Sequence, residues 1–250
     1  MKYRDIIIYG GTSEISLELV KLYLPICQKI IIFCRNQNNL KNFLNNNEYI
    51  DNSFKNKIKI FEADLQNLEE NLKLLNELNN EISGIFWLAG FTGDSENEYS
   101  NIEYAKKNLE INFLNPALLI NEISKKMIKN KNSFISVFTS VAGLRGRKKQ
   151  LFYSSAKSGL IVYLSGLRQK LSEHNILVTT VIPGYMNNRP FREGKWTSLK
   201  ILITEPKDVA KIIKRSIEKK KEIIYVNFLW KIIMIIVKII PEKIFKRLSF

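Results

Sequence analysis

Ile6-Ile7-Ile8-Tyr9-Gly10-Gly11-Thr12-Ser13-Glu14-Ile15-Ser16 is the stretch on which the fold turns. It reads as a buried strand, a tight glycine turn and the start of a helix. Such a junction gathers backbone N–H groups and a helix N-terminus at one point, where a pyrophosphate can be held. Gly10-Gly11 alone also fits a plain strand-ending turn, so the rest of the chain has to decide.

Working outward, residues 5–9, 29–34, 57–61, 84–88, 133–138, 177–182 and 222–226 read as strands. Residues 14–24, 65–78, 99–129, 151–172 and 206–219 carry helical periodicity between them. This alternation predicts an α/β fold with a Rossmann-like, doubly wound parallel sheet of about seven strands. The strands are nearly all apolar, as expected where helices cover both faces. Residues 43–57, with Asn45-Asn46-Asn47 and Asp51-Asn52-Ser53, read as a polar surface connection. A length of 250 residues fits one such unit; residues 1–227 are assigned to the dinucleotide-binding catalytic domain and 228–250 to an apolar-basic helical tail.

The formal charge of +15 comes from a chain rich in Lys, Asn and Ile throughout. No aromatic-basic module or recognition helix accompanies it, so nucleic acid is excluded as a partner. Cys27 and Cys34 lie in apolar runs without metal-ligand spacing, which predicts core thiols, a reducing compartment and no metal site. The apolar run at residues 6–9 is too short for a signal peptide, so a cytoplasmic location is expected. His174, the single histidine, is expected at the surface.

Tyr153-Ser154-Ser155-Ala156-Lys157 places a phenol and an ammonium one turn apart on a helix face. Chance alone gives about one Tyr-x-x-x-Lys match in a chain of this composition. Context gives the motif its weight. Ser140 ends the fifth strand in Phe138-Thr139-Ser140-Val141-Ala142-Gly143, Asn112 lies on the preceding long helical stretch, Ala89-Gly90 ends the fourth strand, and Pro183-Gly184 follows the sixth. At the end of the second strand, in Phe33-Cys34-Arg35-Asn36, the acidic residue that would bind a free ribose is missing. Arg35 can pair there with a 2′-phosphate instead.

These motifs, in this order, resemble the short-chain dehydrogenase/reductase family, in its single-domain branch. The resemblance implies a cofactor loop built from Gly10, Thr12, Ser13, Glu14 and Ile15, with Glu14 and Ser16 replacing two of the family's glycines. It assigns Asp64 and Leu65 to the adenine, Ala89 and Gly90 to the close approach of backbone to cofactor, and Pro183, Gly184 and Asn188 to the nicotinamide end. Trp87 stands where the family keeps the first asparagine of Asn-Asn-Ala-Gly. NADP(H) is the expected cofactor, with NAD(H) still admitted. Asn112, Ser140, Tyr153 and Lys157 become the catalytic set, Tyr153 and Lys157 also contacting the cofactor. In this chemistry Ser140 stabilises the oxygen that receives charge and Tyr153 donates the proton. A phenol of pKa near ~10 needs a neighbouring cation such as Lys157 to work near neutrality.

Residues 189–200 form the expected substrate loop, whose Arg189, Arg192, Lys195 and Trp196 suit an anionic or sugar-bearing substrate. The Ser13-Glu14-Ile15 loop, together with Tyr225-x-x-x-x-Trp230 and Ile239-Ile240-Pro241-Glu242-Lys243-Ile244-Phe245, resembles the reductase subunit of the decaprenylphosphoryl-ribose 2′-epimerases. That implies reduction of a small-molecule or lipid-linked keto-sugar in envelope or polysaccharide synthesis. Acyl or other lipophilic ketones are the alternative substrates. An impaired cofactor-binding scaffold or sensor is the rival class, favoured by Glu14, Ser16 and Trp87 and opposed by intact Ser140, Tyr153 and Lys157. The family pattern implies a homodimer or homotetramer. In the tail, Trp230 and Phe245 are expected to anchor a helix in the inner membrane interface, with Lys243, Lys246 and Arg247 facing anionic lipid. Packing of the same isoleucines on protein is the competing expectation.

Overall fold

A computed structural model describes residues 2–45, 56–78, 81–130, 132–187 and 199–248. Its main sheet is parallel, with strands β1 (Tyr3–Tyr9), β2 (Cys27–Cys34), β3 (Ile58–Glu62), β4 (Ile82–Trp87), β5 (Phe134–Phe138), β6 (Leu177–Ile182) and β9 (Ile223–Tyr225). Their order is β3-β2-β1-β4-β5-β6-β9, so the expected seven-stranded sheet is present and its order reverses beside β1. A further parallel pair, β7 (Tyr185–Met186) with β8 (Ile203–Thr204), lies outside that sheet and was not anticipated.

Strand alternation sends β1 to both layers. Ile6 and Ile8 pack with Leu19 and Val20 of α1 (Glu14–Tyr23) and with Ile213 of α8 (Pro206–Glu218). Ile7 and Tyr9 face the opposite layer, with Ile123 of α6 (Asn115–Met127) and Leu160 and Leu164 of α7 (Leu151–Ser172). Cys27 and Cys34 are buried free thiols, and burial pushes the Cys27 thiol up to about 11, which keeps it protonated and inert. His174 is exposed.

Three helical expectations need correction. Residues 37–45 form α2 (Gln37–Asn45), whose buried Leu40 and Leu44 lie four apart on one face. Asn36 Oδ1 accepts from Asn39 N–H at 2.9 Å at its start. The expected helix over 99–129 is not continuous. It divides into α4 (Ser95–Ser100), α5 (Ile102–Leu109), a π turn (Glu110–Leu114) and α6. Asn101 adopts extended backbone and its side chain accepts from Tyr104 N–H, ending one helix while capping the next. Further on, Pro116 has no N–H to give the Asn112 carbonyl four residues back, and the Asn115 N–H reaches the Glu110 carbonyl instead. Between β3 and β4, α3 (Leu68–Asn76) begins three residues later than expected, capped by Asn67. Asp64 instead holds the Gln66 N–H at 3.0 Å.

The tail forms α9 (Phe228–Ile239) and a short α10 (Glu242–Phe245). Trp230 is not a membrane anchor. It is buried with Met234, Val141 and Ile182, and its indole N–H donates to the Leu202 carbonyl at 2.9 Å. The ring fills the space that a side chain at residue 184 would need: a Cβ on Gly184 would lie 2.0 Å from the indole nitrogen. Phe245 is half-buried and carries the Arg145 guanidinium 3.8 Å above its ring, so it too is engaged by protein. Among the described residues, no helix is long and apolar enough to cross a membrane.

Candidate active site

The sheet order reverses between β1 and β4, and the crevice beyond the strand ends there is where an α/β sheet of this kind takes a ligand. Gly10 turns the chain out of β1 with φ +92°, a conformation open to glycine at little cost, and a Cβ there would lie 2.7 Å from the Ala89 nitrogen. Gly11 is equally confined, by the Ile32 side chain at 2.2 Å from its ideal Cβ. Ser13 then caps α1, its hydroxyl accepting from Ile15 N–H at 3.2 Å. Thr12 is exposed at the turn, and Glu14 opens the helix with its charge at the positive end of the macrodipole. Ser16 is fully buried, and its hydroxyl has no hydrogen-bond partner among the described residues. Two confined glycines and a capped helix N-terminus at the switch point of the sheet fit a dinucleotide, although Glu14 adds a negative charge near the expected phosphates.

Trp87 solves the loss of the asparagine differently from a hydrogen bond. Its indole stacks on Tyr9 at 4.2 Å, Tyr9 on Phe33 at 4.4 Å and Phe33 on Phe61 at 5.3 Å. Four neighbouring strands are thus tied at their crevice ends by aromatic stacking, worth about 0.5–1.5 kcal/mol per pair beyond area burial. Arg35 is exposed at the end of β2, and Asp64 is exposed just past the end of β3, on the same edge of the sheet. Leu65 is buried and its carbonyl accepts from Asn115 Nδ2 at 2.6 Å.

Lys157 lies at the centre of the second half of the site. It is buried, and burial brings its ammonium down to about 8. Nζ donates to the Phe138 carbonyl at 3.4 Å, lies 5.7 Å from the centre of the Tyr153 ring, and would be 3.3 Å from a Cβ at Gly90. Asn112 borders the same glycine: its Oδ1 would be 3.1 Å from that Cβ. The Asn112 side chain accepts from Phe91 N–H at 3.0 Å and donates to the Phe91 carbonyl at 2.6 Å and to Asn108 Oδ1 at 2.7 Å. It therefore clasps the segment after Gly90 to the π turn.

Ser140 caps the 3₁₀ turn Val141–Leu144, its Oγ accepting from Ala142 N–H at 3.1 Å. The turn rests directly on α7, since a Cβ at Gly143 would be 2.7 Å from the Lys157 carbonyl carbon. Val141 N–H donates to the Pro183 carbonyl at 3.0 Å, which joins this turn to Pro183-Gly184. Lys157 thus has Gly90, Phe138, Gly143 and Tyr153 around it, while Ser140 and Pro183 are joined to the same cluster through the turn. Asn188 and the loop residues Arg189, Arg192, Lys195 and Trp196 lie outside the described residues. Two participants are not singled out by the sequence, Gly143 and Asn108, and Trp230 takes a packing role in place of the expected anchoring one. Asn108 had a signal, four residues before Asn112, whereas the close contact at Gly143 had none.

A parallel sheet with this switch-point crevice and a Ser/Tyr/Lys cluster beside it defines a dinucleotide-dependent oxidoreductase class. The family description for short chain dehydrogenases matches residues 4–197, and the chain belongs to that family. The 3-oxoacyl-[acyl-carrier-protein] reductase FabG of Rickettsia prowazekii (strain Madrid E) is 27% identical over 182 residues, 73% of this chain and 72% of that protein. Nodulation protein G of Rhizobium meliloti (strain 1021) is 31% identical over 135 residues, 53% of this chain and 55% of that one. Among solved structures, a short chain dehydrogenase from Burkholderia cenocepacia J2315 in complex with NADP superposes with a TM-score of 0.81 at 15% identity, covering 100% of this chain and 98% of that one. A short-chain dehydrogenase from Sphingobium yanoikuyae in complex with NADPH gives 0.77 at 15% identity, covering 96% and 97%. These structures share the fold.

Proposed function

We propose that the protein is an NADP(H)-dependent ketoreductase that uses Ser140, Tyr153 and Lys157 on a keto-sugar, with a lipid-linked keto-sugar as the leading substrate. The observation that carries this reading is the burial of Lys157 within reach of Tyr153, Gly90 and the Ser140 turn. Gly10 through Ile15 would hold the pyrophosphate, Arg35 the 2′-phosphate, Asp64 and Leu65 the adenine side, and Ala89, Gly90, Pro183, Gly184 and Asn188 the nicotinamide side. When bound, the cofactor supplies the hydride.

The chain's own groups handle charge and proton. Ser140 Oγ already accepts from Ala142 N–H, so its O–H remains to be donated to a substrate oxygen. Tyr153 gives the proton that completes the alcohol. Lys157, lowered to about 8, is still mostly charged at neutral pH and supports the developing phenolate. Asn112 has its amide committed to Phe91 and Asn108 and acts by positioning the Gly90 segment. In this reading the enzyme works in the cytoplasm as a homodimer or homotetramer, against the inner membrane face when its substrate is lipid-linked.

A second reading is reduction of 3-oxoacyl or other lipophilic ketones, supported by the names of the curated relatives. NADPH oxidation by the purified full-length protein should separate the two, using polyprenyl-phosphate keto-sugars, nucleotide keto-sugars and 3-oxoacyl thioesters. Turnover confined to the sugars is expected; turnover confined to the thioesters replaces the leading reading with the second.

A further inference from the structure

Helix α9 presents two unlike faces. Trp230 and Met234 are buried, and Ile233 and Val237 pack partly against the same cluster. On the opposite side Phe228, Ile232, Ile235, Ile236 and Ile239 form one stripe at helical spacing, with Phe228 66% and Ile239 75% exposed. A contiguous apolar stripe of this kind marks a contact surface. Lys231 and Lys238, both exposed and seven residues apart, run along one edge of it. Beyond the helix, Lys243, Lys246 and Arg247 are also exposed. The only acid among residues 228–248 is Glu242, and it is paired with Arg145 at 3.0 Å.

The orientation of this face is fixed. Arg145 donates to the carbonyls of Val237 at 2.5 Å and Ile240 at 2.6 Å, so the end of the helix is pinned to the turn that follows Ser140. Arg147, Lys148 and Lys149 follow that anchor in the chain.

We propose that the outer face of α9 docks on an anionic lipid bilayer, lying in the interface with its isoleucines inserted and its lysines at the headgroups. The charge selects this occupant. A two-fold contact between copies would set the same lysine-edged patch against itself, bringing like charges together, whereas anionic headgroups neutralise them. Twelve residues are too few to span, since ~20 are needed. The same helix holds the Leu202 carbonyl through Trp230 on its inner face, and its N-cap Asn227 donates to the Ile201 carbonyl at 2.8 Å. Docking would therefore hold Ile201 and Leu202, which follow the expected substrate loop in the chain, behind this helix at the membrane. This deepens the lipid-linked substrate reading but stands on the tail surface, so the two can fail separately.

The test is sedimentation of the full-length protein with phosphatidylcholine vesicles, with and without phosphatidylglycerol, at low salt. Two surface variants accompany it, Ile235→Ser/Ile239→Ser and Lys231→Glu/Lys238→Glu. Wild type should sediment only with the anionic vesicles. Each basic side chain contributes roughly fivefold in partition, so the charge-reversed variant should bind at least ~20-fold more weakly. The serine variant should lose binding while keeping its NADPH affinity. Failure of wild type to sediment with either vesicle overturns the proposal. So does unchanged vesicle binding in both variants, or loss of an oligomer in the serine variant by analytical ultracentrifugation without loss of vesicle binding, which would give the face to a second copy. Because the vesicles contain no carbonyl substrate, a negative carbonyl screen leaves this result independent.

Discussion

The Lys157 ammonium lies 5.7 Å from the centre of the Tyr153 ring, one helical turn along α7. If Tyr153 is the proton donor, Tyr153→Phe removes a general acid worth ~10²–10⁴ in rate while leaving the ring in place. We expect turnover to fall by at least ~100-fold with NADPH affinity, measured by fluorescence titration, nearly unchanged. More than about a tenth of wild-type turnover in the variant would remove Tyr153 from the mechanism.

Lys157 makes a prediction about stability. Burial lowers its pKa to about 8 from the ordinary lysine value of 10.5, so the unfolded chain holds that proton more tightly than the folded one. Between about 8 and 10.5 the unfolded state binds more protons, and the contribution of this residue to stability must rise with pH. Below that window both states are protonated and the contribution is constant. Urea denaturation of the cofactor-free protein should show a stability gain over this range that Lys157→Met lacks. Parallel pH profiles for the two proteins would contradict the burial argument.

Arg35→Asp exchanges a phosphate partner for a carboxylate that can bond a free ribose and repels a 2′-phosphate. The ratio of kcat/KM for NADPH to that for NADH should fall by ~10-fold or more, on the order of one charge-assisted hydrogen bond. An unchanged ratio would make Arg35 an ordinary surface residue.

Gly143 tests the seating of the Ser140 turn. Its missing Cβ leaves the turn in contact with the Lys157 backbone, so Gly143→Val must push the two apart. Overpacking of this kind costs about 1–3 kcal/mol, and displacement by even 1 Å can cost ~10²-fold in catalysis. We expect a modestly lowered Tm and a disproportionate loss of kcat. Wild-type kcat in a folded variant would show that the contact does not set the geometry.

The strands were legible because parallel strands covered on both faces are written as uninterrupted apolar runs, such as Ile6-Ile7-Ile8 and Ile30-Ile31-Ile32. Tyr153 and Lys157 were legible because helical spacing alone puts them on one face. Local patterning could not show where α4 to α6 break, since the missing Pro116 N–H acts four residues upstream. Nor could it show which side of α9 is inner. Trp230 reads as an interfacial aromatic until the absent side chain of Gly184, 46 positions earlier, supplies the slot it fills.

That slot gives the protein an optical gauge of its own. The Trp230 indole touches the Gly184 turn on one side and donates to the Leu202 carbonyl, so its emission is sensitive to the packing of both. Subtracting the spectrum of a Trp230→Phe variant from that of wild type isolates this one fluorophore from Trp87 and Trp196. Shifts in the difference spectrum on adding NADPH, a carbonyl compound or vesicles would then show which of these additions reaches the junction of turn and tail, without a label.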